Sequence, residues 1–394
     1  MKLRSLFLNL GVLLASVVVG SLLCEGGLRL ILNSSDYLEV EMINDPILGA
    51  TPSPHSRSGF DAWGFRNKKV PDHVDIVAIG DSHTYGNTAR MEDSWPYVVS
   101  RMTGRSVYNM GLGGYGPNQY AYLLQRALTL KPRLVICGLY MGDDFENAFL
   151  ITYGLDHWAY LRKLPNKNVD SNIWPKSESR SFGAVREWLA RNSVLYQLLF
   201  HGPVSGLLQG DYRITHAPEL YPGNATALSL PEKNILEAFL PVAIYHRIDQ
   251  NSRAIQDGMR ITFQLLKEMN EKSHQNGADF LVVVIPTKES VFSEYLEHNS
   301  KLPLDDVLDQ VIAFDRQARS KLFEALSESG IPYVDALPAL RQEVGHQLYA
   351  RTPTDMHPGK NGYRVIGTAV SDFLKKSTVV GATNLTRPQP SNQN

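Results

Sequence analysis

The sequence predicts an α/β fold in which a parallel β-sheet is covered on both faces by helices. Three observations predict it. Short runs rich in apolar and β-branched residues recur at Ile76-Val77-Ala78-Ile79, Ser106 to Met110, Arg133 to Tyr140 (RLVICGLY), Asp279 to Ile285 (DFLVVVI) and Ile331 to Leu337, and all are too short for helices. These runs alternate with stretches of helical periodicity, the order expected of parallel strands joined by crossover helices. The early runs end abruptly, at Gly80, at the glycine turn 111–116 and at Gly142, and Pro286 stops the fourth. Such continuous apolar runs read as buried strands, and ligands in open α/β sheets bind at their carboxyl ends.

The elements follow in order. Lys2 and Arg4 precede an uncharged stretch, Leu6 to Cys24, whose only polar side chains are Asn9, Ser16 and Ser21. About 20 residues at 1.5 Å each span a hydrocarbon core of roughly 30 Å, longer than the core of about 7–15 residues in a cleaved signal peptide. Residues 1–32 are therefore expected to form a transmembrane anchor. Glu25, Asp36, Glu39 and Glu41 follow the span, so the positive-inside bias places the N-terminus in the cytoplasm and the body in the periplasm or another extracytoplasmic space. Residues 33–73, with Pro46, Pro52 and Pro54, read as a connector strapped to the body by Phe60, Trp63 and Phe65. The body spans 74–376.

Within it, Ser94 before Trp95-Pro96 starts a helix that runs to Met102 and closes at Gly104. Pro117 opens a longer helix to Leu130. The alternation lapses from about 150 to 250, where Trp158, Trp174, Trp188 and many Tyr and Pro residues accompany only short helical patterns. A structureless loop of that length is improbable in a compact domain, so a helical insertion over one edge of the site is expected. Helices resume over about 253–275 and 304–329, TPTDMHPGKNGYRVIG (352–367) leads into a last helix to about Lys375, and the Asn-, Thr-, Pro- and Ser-rich tail 377–394 is expected to be disordered.

Composition narrows the function. The 394 residues are 43% hydrophobic and 20% charged with net charge −1, an ordinary globular balance with no basic block to bind nucleic acid. Cys24 and Cys137 lack zinc-type spacing, and their placement in the apolar N-terminus and in a buried strand argues against a disulfide. No cofactor is implied.

The strand ends gather the chemistry. The first presents Asp81, Ser82 and His83. The second presents Asn109, Gly111, Gly113, Gly114 and Gly116, and the third Gly142, Asp143 and Asp144. The loop after the fifth presents Asp355 and His357. A serine nucleophile needs a base and a carboxylate that orients it, roles that His357 and Asp355 can fill. An oxyanion needs donors, and the Ser82 N–H and an N–H of the glycine turn are natural suppliers.

The GDS motif, the NxGxxG turn, the glycine-acid motif and the late D-x-H-P together resemble the four blocks of SGNH (GDSL-type) hydrolases, over about residues 74–149 and 278–376. The resemblance implies Ser82 as nucleophile, His357 as base, Asp355 as its orienting acid and Gly114 as an oxyanion donor. It also implies a three-layer α/β/α sandwich around a five-stranded parallel sheet of flavodoxin-like order. The phrase IPTKESVF (285–292) and the D-x-H spacing are similar, more narrowly, to polysaccharide O-acetyltransferase relatives.

One position departs from the family. Where most members carry an asparagine that helps bind the oxyanion, this chain has Asp143. An ionised carboxylate donates no hydrogen bond. Three readings stay open: a protonated Asp143, a donor from elsewhere, or weak activity. The leading expectation is a serine esterase acting on an O-acyl, foremost O-acetyl, ester of an extracytoplasmic carbohydrate or lipid. The alternatives are an O-acyltransferase acting on a polysaccharide, a non-catalytic glycan-binding protein, and a metal-dependent phosphoesterase using Asp81, His83, Asp143, Asp144, Asp355 and His357 as ligands.

Overall fold

In the computed structural model, residues 2–54, 58–164, 183–200, 210–350, 352 and 355–377 are described, with side chains from residue 7 onward. Trp174 and the tail from 378 lie outside the described residues.

Five strands form the central sheet: β1 (Ile76–Gly80), β2 (Val107–Gly111), β3 (Leu134–Tyr140), β4 (Asp279–Ile285) and β5 (Tyr333–Asp335). All pair in parallel, in the order β2-β1-β3-β4-β5. This is the flavodoxin-like order. Successive side chains point to opposite faces of a strand, so each strand feeds two cores. Val77, Ile79, Val135, Cys137, Val282 and Val284 pack beneath the helices Pro117–Thr129 and Arg253–Gln275. Ile76, Ala78, Ile136, Leu281 and Val283 pack beneath Trp95–Thr103 and Lys360–Lys376. The result is three layers, α/β/α. β5 is shorter than the run Ile331 to Leu337 suggested. Pro332 has no N–H to donate, and Leu337 already opens a short helix, Leu337–Gln342, with proline in its first turn.

The strand ends explain three glycines. Gly80 lies in register with Gly111 on one side and Gly138 on the other. A β-carbon on Gly80 would come 2.1 Å from Thr84 Oγ1, one on Gly138 2.3 Å from the same atom, and one on Gly111 2.2 Å from the Tyr85 nitrogen. Glycine lets backbone approach this closely. The three residues form a flat seat for the short helix Ser82–Tyr85, which carries the candidate nucleophile.

Residues outside the sheet pack around this platform. The connector contains an antiparallel hairpin, Met42–Asp45 with Gly49–Pro52. Its Phe65 is buried, and Trp63 meets the Tyr108 ring edge-on at 5.7 Å. Buried Arg66 donates to the carbonyls of Tyr85 and Gly86 at 2.5 and 2.9 Å, which braces the far end of the Ser82 helix. Between 150 and 250 lie the expected short helices, including Gly183–Asn192, Val194–Phe200 and Pro241–Ile248, together with an antiparallel hairpin, Thr226–Leu230 with Ile235–Phe239. Trp158 is buried in a core cluster of this region, whereas Trp188 is exposed. Lys288, after β4, ties the hairpin down, with its Nζ 2.6 Å from Glu237 Oε2 and both residues buried.

The N-terminal helix Lys2–Ile31 contains one segment, Phe7–Ile31, long and apolar enough to cross a membrane and not buried against the body. Near its end, Glu25 accepts hydrogen bonds from the backbone of Val194 and Leu195 and from the Ser193 hydroxyl. Cys24 and Cys137 are both free thiols.

Candidate active site

The helix Ser82–Tyr85 begins where β1 ends, and Asp81 is its N-cap, accepting from the His83 N–H at 2.9 Å. Ser82 is therefore spared the capping role and presents its hydroxyl 2.7 Å from His357 Nε2. His357 Nδ1 lies 2.7 Å from Asp355 Oδ1, and the His357 backbone N–H donates to the same oxygen at 2.9 Å. An ionised carboxylate only accepts, so the ring proton sits on Nδ1 and Nε2 is left to accept from Ser82.

The charges support that assignment. Burial by itself raises the Asp355 pKa, but the hydrogen bonds and charge of His357 outweigh it and hold the carboxyl below its usual value. Burial pulls His357 down, but the hydrogen bond and charge of Asp355, aided by Asp81 and Asp143, leave the imidazole above its usual value.

A second imidazole lies alongside. His83 Nδ1 is 2.9 Å from Asp81 Oδ2, and its ring stacks on Tyr140 at 3.7 Å and lies 4.8 Å from the His357 ring. Burial lowers its pKa despite the attraction of Asp81. His83 thus stands beside the base with Nδ1 held by Asp81, while its Nε2 is buried without a hydrogen-bond partner.

The glycine turn closes the other side of Ser82. Asn109 does not face the serine. Its amide donates to the Thr84 carbonyl at 2.8 Å, and its oxygen accepts from the Gly111 N–H, so it locks the turn to the nucleophile helix. A β-carbon on Gly113 would lie 3.8 Å from Ser82 Cβ, and Gly114 has φ +77°, where glycine is favoured. Among the described residues, the N–H groups of Gly113 and Gly114 make no hydrogen bond. Gly116 starts the next helix with its N–H bonded to Gln119 Oε1.

After β3 the two acids diverge. Asp144 is buried, accepting from the Tyr120 hydroxyl at 2.7 Å and the Tyr140 N–H at 2.8 Å. Burial, then Asp81 and Asp143, push its pKa well up. Asp143 keeps 24% of its side chain exposed, and its Oδ2 lies 3.6 Å from Arg247 Nη1. Burial and Asp81 raise its pKa to about 7, against the opposing pull of Arg247 and His357. Its Oδ1 is buried with no hydrogen-bond partner.

The six acids and histidines weighed as metal ligands do not form such a set. Among the described residues, no three His, Cys, Asp or Glu side chains are grouped to hold a metal ion. His357 and Asp144 are instead committed to the hydrogen bonds given above.

A cleft of about 1010 Å³ opens beside Asp355 and Gly113, lined also by Tyr37, Tyr85, Arg90 and Tyr349. Sequence reasoning missed Arg66, Arg247 and the Lys288–Glu237 pair. Each acts on a residue far away in the chain, and of these only Lys288 falls within a motif, IPTKESVF (285–292).

No protein-family model matches the sequence, and no curated protein sequence matches it. Similar solved structures include a member of the lipolytic G-D-S-L family from Veillonella parvula, at 11% identity and TM-score 0.37, covering 77% of this chain and 98% of that one. A GDSL-like lipase from Bacteroides thetaiotaomicron has 12% identity and TM-score 0.33, covering 78% and 92%. A catalytic mutant of an acetylxylan esterase from Geobacillus stearothermophilus has 11% identity and TM-score 0.33, covering 76% and 94%.

Proposed function

We propose that the protein is a serine esterase that hydrolyses an O-acyl, foremost O-acetyl, ester of an extracytoplasmic carbohydrate or lipid. The observation that carries this reading is the unbroken chain from Ser82 Oγ through His357 to Asp355, two contacts of 2.7 Å at the carboxyl end of a parallel sheet. His357 Nε2 takes the hydroxyl proton as Ser82 Oγ attacks the acyl carbon. The Ser82 and Gly114 N–H groups receive the negative charge that develops on the acyl oxygen. The imidazolium then protonates the departing alkoxide, leaving acyl-Ser82. Water, deprotonated by the same imidazole, releases the acid and restores the serine. The cleft beside Asp355 has the volume for a sugar-sized alcohol portion. In this reading the helix Phe7–Ile31 anchors the body at the outer face of an inner or plasma membrane.

The experiment is product analysis with the purified full-length chain and an acetylated sugar, with and without a sugar acceptor. Free acetate in both arms is expected. Acetyl transferred to the acceptor would make the enzyme an O-acyltransferase. Saturable sugar binding without turnover would make it a glycan-binding protein. Phosphate released from a phosphorylated sugar, abolished by EDTA and restored by a divalent metal, would make it a phosphoesterase. Protease accessibility of the body in spheroplasts tests the anchor and its orientation.

A further inference from the structure

The N-terminal helix and the insertion meet where the uncharged stretch ends. Glu25 follows Cys24, the last residue of that stretch. Its carboxylate accepts from the N–H groups of Val194 and Leu195 at 3.0 and 2.9 Å and from the Ser193 hydroxyl at 3.0 Å. It thereby satisfies the open N-terminal donors of the helix Val194–Phe200. One turn further along the N-terminal helix, Arg29 bonds Glu25 Oε1 at 2.7 Å and donates to the Asn192 carbonyl at 2.7 Å. The order of these contacts gives a direction. As the insertion advances from Asn192 to Leu195, its partner goes back from Arg29 to Glu25, so the helix Val194–Phe200 sets off antiparallel, toward the apolar span. At about 1.5 Å per residue, Phe200 reaches up to about 8 Å past the level of Glu25.

The side chains suit that place. Among the described residues beyond the N-terminal helix, nine large apolar side chains are exposed. Four of them, Val185, Trp188, Leu199 and Phe200, stand on this helix and on the preceding Gly183–Asn192. Val185 and Trp188 are three residues apart, hence on one helix face. Arg186 and Arg191 are exposed on the same helix, the basic complement that interfacial helices carry beside their apolar face.

We propose that the helices Gly183–Asn192 and Val194–Phe200 dock on the outer leaflet beside the anchor, with Leu199 and Phe200 among the acyl chains and Trp188 at the headgroup level. Interfacial helices bury their apolar face by about 5–10 Å, and Trp favours the membrane–water boundary. The inference rests on the anchor reading given under the proposed function. It bears on the active site, because Gln197 of the second helix and Tyr37 to Val40, just beyond the anchor, line the cleft beside Asp355. Docking therefore sets the cleft beside the bilayer surface.

The test uses the full-length chain with Cys24→Ser, which leaves the buried Cys137 as its native thiol. Single cysteines are added and labelled with nitrobenzoxadiazole, in vesicles of phosphatidylcholine and phosphatidylglycerol. Trp188→Cys, Leu199→Cys and Phe200→Cys probe the docking helices, and Leu14→Cys probes the anchor. Val185→Cys replaces any docking variant that loses its cooperative thermal transition. Lipid spin-labelled on its acyl chain should quench the labels at positions 199 and 200 as it quenches the one at 14. Lipid spin-labelled on its headgroup should quench the label at 188, and aqueous iodide should leave 14, 199 and 200 emitting. Labels at 188, 199 and 200 that iodide quenches and neither lipid touches overturn the docking proposal, while quenching at 14 by lipid upholds the anchor. Labels at those three positions shielded from every quencher mean that protein, such as a second copy of this chain, covers the face, and they overturn it as well. A label at 14 quenched by iodide and not by lipid overturns the anchor reading, and this proposal with it.

Discussion

Asp355→Asn separates charge from orientation at the base. Both hydrogen bonds from His357, the ring Nδ1–H and the backbone N–H, end on the single oxygen Oδ1. An asparagine can place its carbonyl oxygen there and turn its amide to the Oδ2 position, where the side chain is 25% exposed and water can take the N–H groups. The Nδ1–H tautomer is then preserved, and only the negative charge is lost. At an effective dielectric near 20, a carboxylate about 4 Å from the imidazolium contributes about 4 kcal/mol, and partial exposure reduces this to about 2 kcal/mol. At about 1.36 kcal/mol per decade the fall in kcat lies between about 30- and 1,000-fold, short of the roughly 10,000-fold that follows when an asparagine imposes the wrong tautomer.

The pH profile moves as well. The base must be neutral to accept the Ser82 proton, so the acid limb follows the His357 pKa, which the wild type holds above its usual value. Without the Asp355 charge, burial dominates, and the limb shifts to lower pH. The assay is kcat and kcat/KM for p-nitrophenyl acetate from pH 5 to 9. A loss of about 10,000-fold, equal to that of Asp355→Ala, or an acid limb that stays in place, would refute this reasoning.

Three further perturbations follow from the packing. Gly111→Ala sets a β-carbon 2.2 Å from the Tyr85 nitrogen, against backbone that cannot yield cheaply. Thermal unfolding should show a loss of about 1–3 kcal/mol, and a displaced Ser82 should cost about 100-fold in kcat. Glu237→Leu leaves the Lys288 charge buried and unpaired, and urea denaturation should show about 3–5 kcal/mol lost, with Glu237→Leu/Lys288→Met recovering most of it. Glu289 is 1% exposed, and burial raises its pKa from 4.5 to about 7. The folded state then holds the proton more tightly, so this group's contribution to stability is present below about pH 4.5 and is lost as pH rises through 7. Glu289→Gln should therefore gain about 3 kcal/mol on wild type between pH 4 and pH 8 in paired unfolding curves, and parallel curves would contradict this.

The strands that deliver the site were legible because a buried parallel strand writes its signal locally, as a continuous apolar run with a glycine stop. Ile76–Gly80 and Leu134–Tyr140 carry that signal, and Asp279–Ile285 matches its predicted bounds. Asp355 and His357 stood out through the D-x-H-P resemblance, and the fold sets His357 Nδ1 2.7 Å from Asp355 Oδ1. Other features depend on distant partners. Arg66 is known by the Tyr85, Gly86 and Ala89 carbonyls it binds, and Arg247 by Asp143 and Glu146. Asn109 reads in sequence as a strand-end polar residue, and only the fold shows that it fastens the turn to Thr84. The hairpin Thr226–Leu230 with Ile235–Phe239 is short, and the buried Glu237 breaks its apolar pattern until Lys288 is seen beside it.

The central claim is that Ser82 is a nucleophile activated by His357. The most direct measurement is labelling of the full-length chain with a fluorophosphonate, followed by peptide mass spectrometry. The account predicts one adduct, on Ser82, absent in Ser82→Ala and formed far more slowly in His357→Ala. An adduct that persists in Ser82→Ala, or a Ser82 that stays unmodified while esterase activity is present, would contradict it.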